Sequence, residues 1–462
     1  MTNPLLEIER RLLGDLYAGR HAQETLEILC DEFGSRWSGS PDGERAAQFM
    51  EERLGEYGLA NCHREPFQFM GWKRGPATLR ILSPVERELA CISLPMCPPA
   101  TVEAQVVEVG DGGPADFAAV GERLRGAVAM VGATPPRGLN RTVHRSEKYG
   151  RSLLSGAAAF LYVGQYPGFG PETGSIANDR EALIPGVSIR YEDGELLRRL
   201  LRRHNELTLR IETTDRSAPA TGWNVVGELP GHTHPEEWVL VGCHYDGHDI
   251  AQGAHDPASG AVALLEAARV LAAHAAGEVG CGVRFVLFDA EEIGLLGGYR
   301  YAEAHEAELD GVRFLLNLDA AGSPGRKGLN VNRWPQLEPI FARWEREMGD
   351  DLPIAQKTSA FSDHYPFFLA GVPTAMMGDP GGVNTGRGFD HSAFDTVDKV
   401  DPADMREAAA MAARLALRIS REDPWPARRR GREEVEALIA AEPSLEGKAI
   451  EAGVDALYRS RS

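Results

Sequence analysis

The sequence predicts an α/β fold with a separate, mostly β module, and three observations carry that prediction. Two apolar runs, Trp238–Cys243 and Val283–Asp289, lack polar alternation and read as fully buried parallel strands. The small-residue stretch between them, about 259–273, reads as a helix capped by Ser259, with Gly260, Ala261 and Ala263 suited to close packing on a sheet, so the three segments form a βαβ unit. From 97 to 215 the texture changes: VEAQVVEVG, GAVAMVG, AAAFLYVG, PGVSIR and LTLRIETT are short β runs between Gly/Pro-rich turns, with one helix near Asp193–Arg203.

In chain order, residues 4–58 place apolar side chains at helical spacing, and the GSRWSGSPDG loop divides them. Segment 62–95 reads as short strands with Pro and Gly breaks. The β-rich module follows. From about 221 to 420, strands are expected at 223–229, 238–243, 283–289, 314–318 and 373–377, with an amphipathic helix at 402–420. After Pro424 the basic run Arg428–Arg432 precedes a short helix, read as a solvated face or a docking element. The resulting division is 1–96 for the N-terminal part of the main domain, 97–215 for the insert, 216–424 for the main domain, and 425–462 for a helical tail.

Composition excludes several function classes. A formal net charge of −19 argues against nucleic acid and anionic membranes, both of which require a basic face. The N-terminal stretch carries acids inside its apolar pattern, unlike a signal peptide, and no run of 18 apolar residues suggests a spanning helix. The six cysteines lack metal-site spacing, which fits reduced thiols and a cytoplasmic location.

The chemistry concentrates at strand ends. His244 follows the first buried run, Glu291 and Glu292 follow the second, and Asp319 ends FLLNLD. In open α/β sheets such ends face the site. Asp256, on the loop after the first strand, and His391, in FDHSAFDTVD, complete five candidate metal ligands: His244, Asp256, Glu292, Asp319 and His391. One such residue is ordinarily a solvated group. Charged groups ending three separate buried strands are costly unless a cation draws them together. The mixed N/O set suits zinc better than magnesium or calcium. Five ligands exceed one open four-coordinate ion and fit two ions with Asp256 bridging, which leaves Glu291 as general base. Asp246, two residues past His244, is read as a catalytic partner orienting that imidazole, and Asp395 as the orienter of His391.

These residues sit in blocks that carry a family resemblance. HYD, GAHDPASG, FVLFDAEEIGLLGG, LNLDAAG, SDHYPFFLAGVPT and DHSAFDTVDKVD resemble, in order, the motifs of the zinc-dependent exopeptidases, the family of bacterial leucyl aminopeptidases, aminopeptidase Y and glutamate carboxypeptidases. The resemblance covers about 221–420 strongly and the helices of 20–60 more weakly. It implies a mixed, mostly parallel sheet with helices on both faces and a dizinc site, for which cobalt or manganese are alternative metals. Carried over, His244 and Asp319 hold one ion, Glu292 and His391 the other, with Asp256 bridging and Glu291 as base.

GAVAMVG, SGAAAFLYVG and IPGVSIRYEDGELL give 97–215 the look of a protease-associated domain. The short DIAQGAHD loop is nearest the carboxypeptidase Q-like branch, whose secreted location does not transfer in the absence of an export signal. Two spare imidazoles, His255 and His364, fall in motifs near the family's site and are assigned to substrate contact. Ser392 stands where many relatives have Thr.

The expected function is hydrolysis of short peptides, first as an aminopeptidase, second as a carboxypeptidase or dipeptidase. A non-catalytic receptor-like member and a one-zinc glutaminyl cyclase-like acyltransferase are the alternatives that an intact ligand set disfavours. Monomer and homo-oligomer both stay open.

Overall fold

Two eight-stranded sheets share the work in the computed structural model, which describes residues 4–380 and 389–461. The first sheet runs, edge to edge, through Ala60–Lys73, Arg216–Leu229, Cys281–Phe288, His234–His244, Val312–Asn317, Thr374–Gly378, Gly328–Val331 and Ile354–Gln356. Its central strands are parallel: His234–His244 pairs with Cys281–Phe288 on one side and with Val312–Asn317 on the other. Antiparallel strands flank them, so the sheet is mixed.

The apolar runs explain the centre. Every residue of Cys281–Phe288 and Val312–Asn317 is buried, because helices cover both faces. On one face lie Ser259–Ala275 and Pro402–Arg421, joined by the N-terminal helices Pro4–Ala18, His21–Glu27 and Pro41–Glu56. On the other lie Leu296–Ala304 and His364–Leu369. Ala254–Ala275 is apolar enough to cross a membrane by length and composition, yet 78% of its apolar window is buried inside the protein. An all-round apolar helix is what a fully covered core position requires.

Two local expectations are corrected. Ser259 does not cap its helix; the chain is already helical at Ala258, and the Ser259 hydroxyl donates back to the His255 carbonyl at 2.7 Å. Residues 60–73 form one 14-residue strand rather than short pieces. It pairs along its length with Arg216–Leu229, whose small and polar residues at 217–222 still support the ladder.

The second sheet takes Ala77–Ser83, Arg87–Leu89 and Ile92–Ser93, ahead of the boundary expected at 97, together with Ala100–Glu108, Val128–Gly132, Ala159–Val163, Gly186–Ile189 and Thr208–Thr213. It is less purely β than its sequence suggests. Besides Tyr191–His204 it carries helices Pro114–Val120 and Arg145–Leu154. The tail forms two helices, Arg432–Ala441 and Lys448–Arg461, and the second packs on Arg145–Leu154.

Candidate functional site

Strand ends deliver the side chains. His244 is the last residue of its strand and lies in register with Phe288, and Asp319 follows two residues after Asn317. Glu291 and Glu292 follow Phe288 through a turn at Ala290, whose φ is 58°. Asp256 arrives because the helix after it packs close. A Cβ at Gly260 would lie 2.1 Å from the Leu318 carbonyl, so only glycine lets this helix start beside the strand that carries Asp319.

The five expected ligands converge. His244 Nε2 lies 3.3 Å from Asp319 Oδ1 and 3.4 Å from Asp256 Oδ1. His391 Nε2 lies 3.4 Å from Asp256 Oδ2 and 3.7 Å from Glu292 Oε2. Tetrahedral zinc with bonds of about 2.0–2.1 Å has donor–donor edges of roughly 3.3–3.4 Å, so each half of the cluster has the dimensions of a zinc site. The two Asp256 oxygens point to different halves, as a bridging carboxylate must. Glu291 offers an oxygen within 4.8 Å of the His244 and Asp319 ligand atoms, beside one half of the cluster.

The electrostatics describe a place for cations. Burial pushes the Glu291 carboxyl well up, with Glu292, Asp319 and Asp363 adding to the repulsion. Burial likewise carries Glu292 to about 8. Burial works against protonated His391, but Glu292 and Asp256 raise it to about 9. His244 is raised in the same way, against its burial, by Glu291 and Asp319. Protons thus gather where carboxylates crowd, and divalent ions would replace them there.

The imidazoles are aimed. His244 Nδ1 donates to the Asp246 carbonyl at 3.0 Å, which leaves Nε2 as the ligand face. His391 Nδ1 lies 3.3 Å from the Thr173 carbonyl, and the Thr173 amide donates to the His391 carbonyl at 2.8 Å, so the lobe built on the second sheet, to which Thr173 belongs, orients this residue.

The remaining expected residues take further or different duties. The Asp246 carboxylate lies beside the imidazole it is expected to orient, Oδ1 3.6 Å from His244 Nδ1, and it also accepts the amides of Glu291 at 3.0 Å and Glu292 at 3.2 Å and the Ser38 hydroxyl at 2.9 Å. It positions the base and its neighbour. Asp395, expected behind His391, accepts the amides of His255 at 2.7 Å and Asp256 at 3.1 Å and so holds the bridging loop. His255 is buried between Asp390, 2.5 Å from Nδ1, and the Ser323 hydroxyl, 2.8 Å from Nε2, which ties loops together instead of facing substrate. His364 is buried, held down to about 4 by that burial, and donates from Nε2 to the Ser359 carbonyl at 3.1 Å. It lines a neighbouring cavity with Asn332 and Thr358.

Sequence reasoning missed three contributors. His248, four residues past His244, is buried, stacks on Trp37 and places Nε2 2.8 Å from Glu292 Oε2; its signal was the second imidazole of HYDGHD. Arg36, in the loop read only as turn formers, is fully buried and donates to the carbonyls of Tyr245 at 2.7 Å, Leu29 at 3.1 Å, Gln252 at 2.8 Å and Gly253 at 2.8 Å, and also to Gly34. It staples the loop between His244 and Asp256, and nothing local in the sequence marks it. Arg145 lines the cavity beside the ligands.

A sequence profile described as Peptidase family M28 matches residues 224–416. Carboxypeptidase Q of Mus musculus is 31% identical over 413 residues, covering 85% of this chain and 84% of its own. Aminopeptidase YwaD of Bacillus subtilis is 32% identical over 247 residues, 51% of each chain. Among solved structures, a peptidase M28 precursor from Shewanella amazonensis aligns with a TM-score of 0.78 at 24% identity, over 92% of this chain and 99% of its own. A zinc aminopeptidase of Bacillus subtilis gives 0.68 at 24% identity, over 86% and 93%.

Proposed function

The chain belongs to peptidase family M28, and from that premise we propose that it is a dizinc exopeptidase of short peptides with Glu291 as its general base. The observation that supports this most is the two-sided arrangement about Asp256, with His244 and Asp319 on one oxygen's side and His391 and Glu292 on the other's. Zinc ions held there would polarise the scissile carbonyl and acidify a water between them.

The protein's own groups do the rest. Glu291, its amide fixed by Asp246, takes the proton from the attacking water on a carboxylate oxygen. The C–N bond breaks as the new C–O bond matures, and Glu291 passes that proton to the leaving amine. His248 keeps Glu292 turned toward its half of the cluster. The cavity at the ligands has a volume of about 340 Å³, the small end of the range for small-molecule sites, which suits a short peptide.

Removal of the amino-terminal residue is the first reading and agrees with the names of YwaD and the Bacillus subtilis structure. Cleavage at the carboxyl end, or of dipeptides, is the second; Arg145 in the cavity favours it, as does the name of the carboxypeptidase Q relative.

The test is product release from a free peptide, its N-acetylated form and its C-amidated form, with metal content counted beside it. Chelator-sensitive cleavage with two zinc ions per chain is expected. Glu291→Gln is expected to lower kcat by about 10²–10⁴ with both ions retained. One ion would favour the cyclase-like alternative, and none the receptor-like one. Loss of cleavage on acetylation marks an aminopeptidase, and loss on amidation a carboxypeptidase.

A further inference from the structure

The tail is docked against both lobes, and it crosses between them beside the ligand cluster. It lies beyond residues 224–416, the part of the chain that matches the M28 profile. On the first lobe the Arg430 amide donates to the Gly371 carbonyl at 2.8 Å, and the Ser444 hydroxyl donates to the Thr358 carbonyl at 3.0 Å. Val435 and Leu445 are buried in one apolar cluster with Leu295, Ala360, Tyr365 and Phe368. Leu295 and Ala360 also line the catalytic cavity, so the tail packs on the back of its wall.

On the second lobe the helix Lys448–Arg461 lies against Arg145–Leu154, and two glycines permit the approach. A Cβ at Gly150 would lie 2.7 Å from Ile450 Cγ2 and 3.1 Å from Val454 Cγ2, and one at Gly447 would lie 2.3 Å from Glu147 Oε2. Glu147 cannot swing aside, because Arg141 and Arg151 each hold its carboxylate at 2.7 Å. Farther along, Asp455 pairs with Arg180, whose guanidinium sits 3.7 Å from the Tyr458 ring centroid. The Tyr458 hydroxyl donates to the Glu181 carbonyl at 2.8 Å.

Between these anchors the tail reaches the site itself. Lys448 and Glu451, paired at 2.8 Å, line the catalytic cavity with His244, Glu291 and His391. Glu451 also lines a second cavity of about 270 Å³ with Ile450 and Val454, and this one shares Ser146 and Asn178 with the first. The helix therefore stands on the path by which a longer chain would leave the catalytic cavity on this side. We propose that the tail sets substrate length: it walls the cavity so that dipeptides and tripeptides fit, while longer chains clash with the turn that carries Lys448 and Glu451. This is selection by exclusion, which needs no attractive contact with the favoured substrate. It rests on the reading of the His244–His391 cluster as the hydrolytic centre.

The experiment measures kcat/KM for a dipeptide, a tripeptide, a pentapeptide and an octapeptide with identical end residues. Three proteins are compared: the wild type, a chain ending at Gly431, and Gly150→Leu. Within 4 Å a Cβ at Gly150 meets tail atoms alone, so this substitution pushes the tail off without removing it. The wild type is expected to prefer the dipeptide over the octapeptide by about tenfold or more, and both variants should raise the octapeptide-to-dipeptide ratio by about tenfold.

A tail that only braced the two lobes would make both variants slow every length in proportion. An unmoved ratio of that kind overturns the proposal and leaves the hydrolytic reading intact. A wild type that cleaves the octapeptide as well as the dipeptide does the same, whether or not the variants fold. No chelator-sensitive cleavage of any length by any of the three proteins takes down both.

Discussion

The two sheets are equal in strand number and opposite in what their carboxyl edges hold. At the first, one strand ends in His244, with Asp319, Glu291 and Glu292 just beyond the ends of its neighbours, and the edge opens on a cavity. At the second, Val128–Gly132 ends on carbonyls plugged by one ammonium: Lys148 Nζ donates to Gly132 at 2.7 Å and to Ala133 and Thr134 at 3.1 Å each. Each edge depends on a buried cation collecting carbonyls, Arg36 for the first and Lys148 for the second. The Arg36 staple holds a loop open around acids; the Lys148 plug seals. An α/β edge is thus only an opportunity, and the residues at the strand ends decide whether it becomes a site.

The sharpest way to break this contrast is at the bridge. Asp256→Ala should abolish measurable peptide cleavage and lower metal content below two ions per chain, read by elemental analysis, with the fold retained by circular dichroism; two retained ions would show that the edge does not rely on Asp256.

Next comes the staple. Arg36→Met leaves at least four carbonyls without their donor, so a loss of about 3–5 kcal/mol in unfolding free energy is expected, with metal affinity weakened about 10–100-fold as the loop from His244 to Asp256 loosens. The matching change at the plug, Lys148→Met, should cost about 1–3 kcal/mol and leave metal affinity unchanged. If both variants lost metal equally, the two edges would be coupled and the contrast would fail.

The smallest effect lies away from both edges. His305 bridges Glu65, 3.0 Å from Nε2, and Glu308, 3.1 Å from Nδ1, and the bond to Glu65 raises its pKa. A raised folded pKa gives stability that is complete below the unfolded value, about 6.5, and is lost as pH rises through the folded one. On the acid side Glu65, lowered by His305 against its own burial, gives up its share as pH falls through its folded pKa. His305→Asn should therefore cost under about 1 kcal/mol at pH 6 and less at pH 9, measured by thermal melts with metal content held constant.

What was legible follows from the same physics. The runs Trp238–Cys243 and Val283–Asp289 announced themselves because burial on both faces demands unbroken apolar runs, and the histidine and acids that follow them stood out against that background. The helix Arg145–Leu154 did not. Its sequence, RSEKYGRSLL, has few apolar residues because it buries Arg145, Glu147 and Lys148 through polar contacts that only the tertiary fold supplies. Arg36 and His248 stayed hidden for a related reason, since their partners are carbonyls and a carboxylate brought near by folding. Asp246 and Asp395 were recognised as supporting acids, but their duty as acceptors of backbone amides depends on loop geometry that spacing does not encode.

The paired ribbon of Ala60–Lys73 and Arg216–Leu229 has one last consequence. Lys73 and Arg216 face each other in its register, so the chain leaves for the second lobe and returns at adjacent points. Antiparallel partners of this kind lie only about 4.5–5.5 Å apart at Cα. The lobe is therefore spliced in at a single gap that a tight turn would close, and gaining or shedding it requires no reordering of the catalytic strands. The second sheet with its helices and the acid-bearing edge of the first can in this way be exchanged as separate parts of one gene.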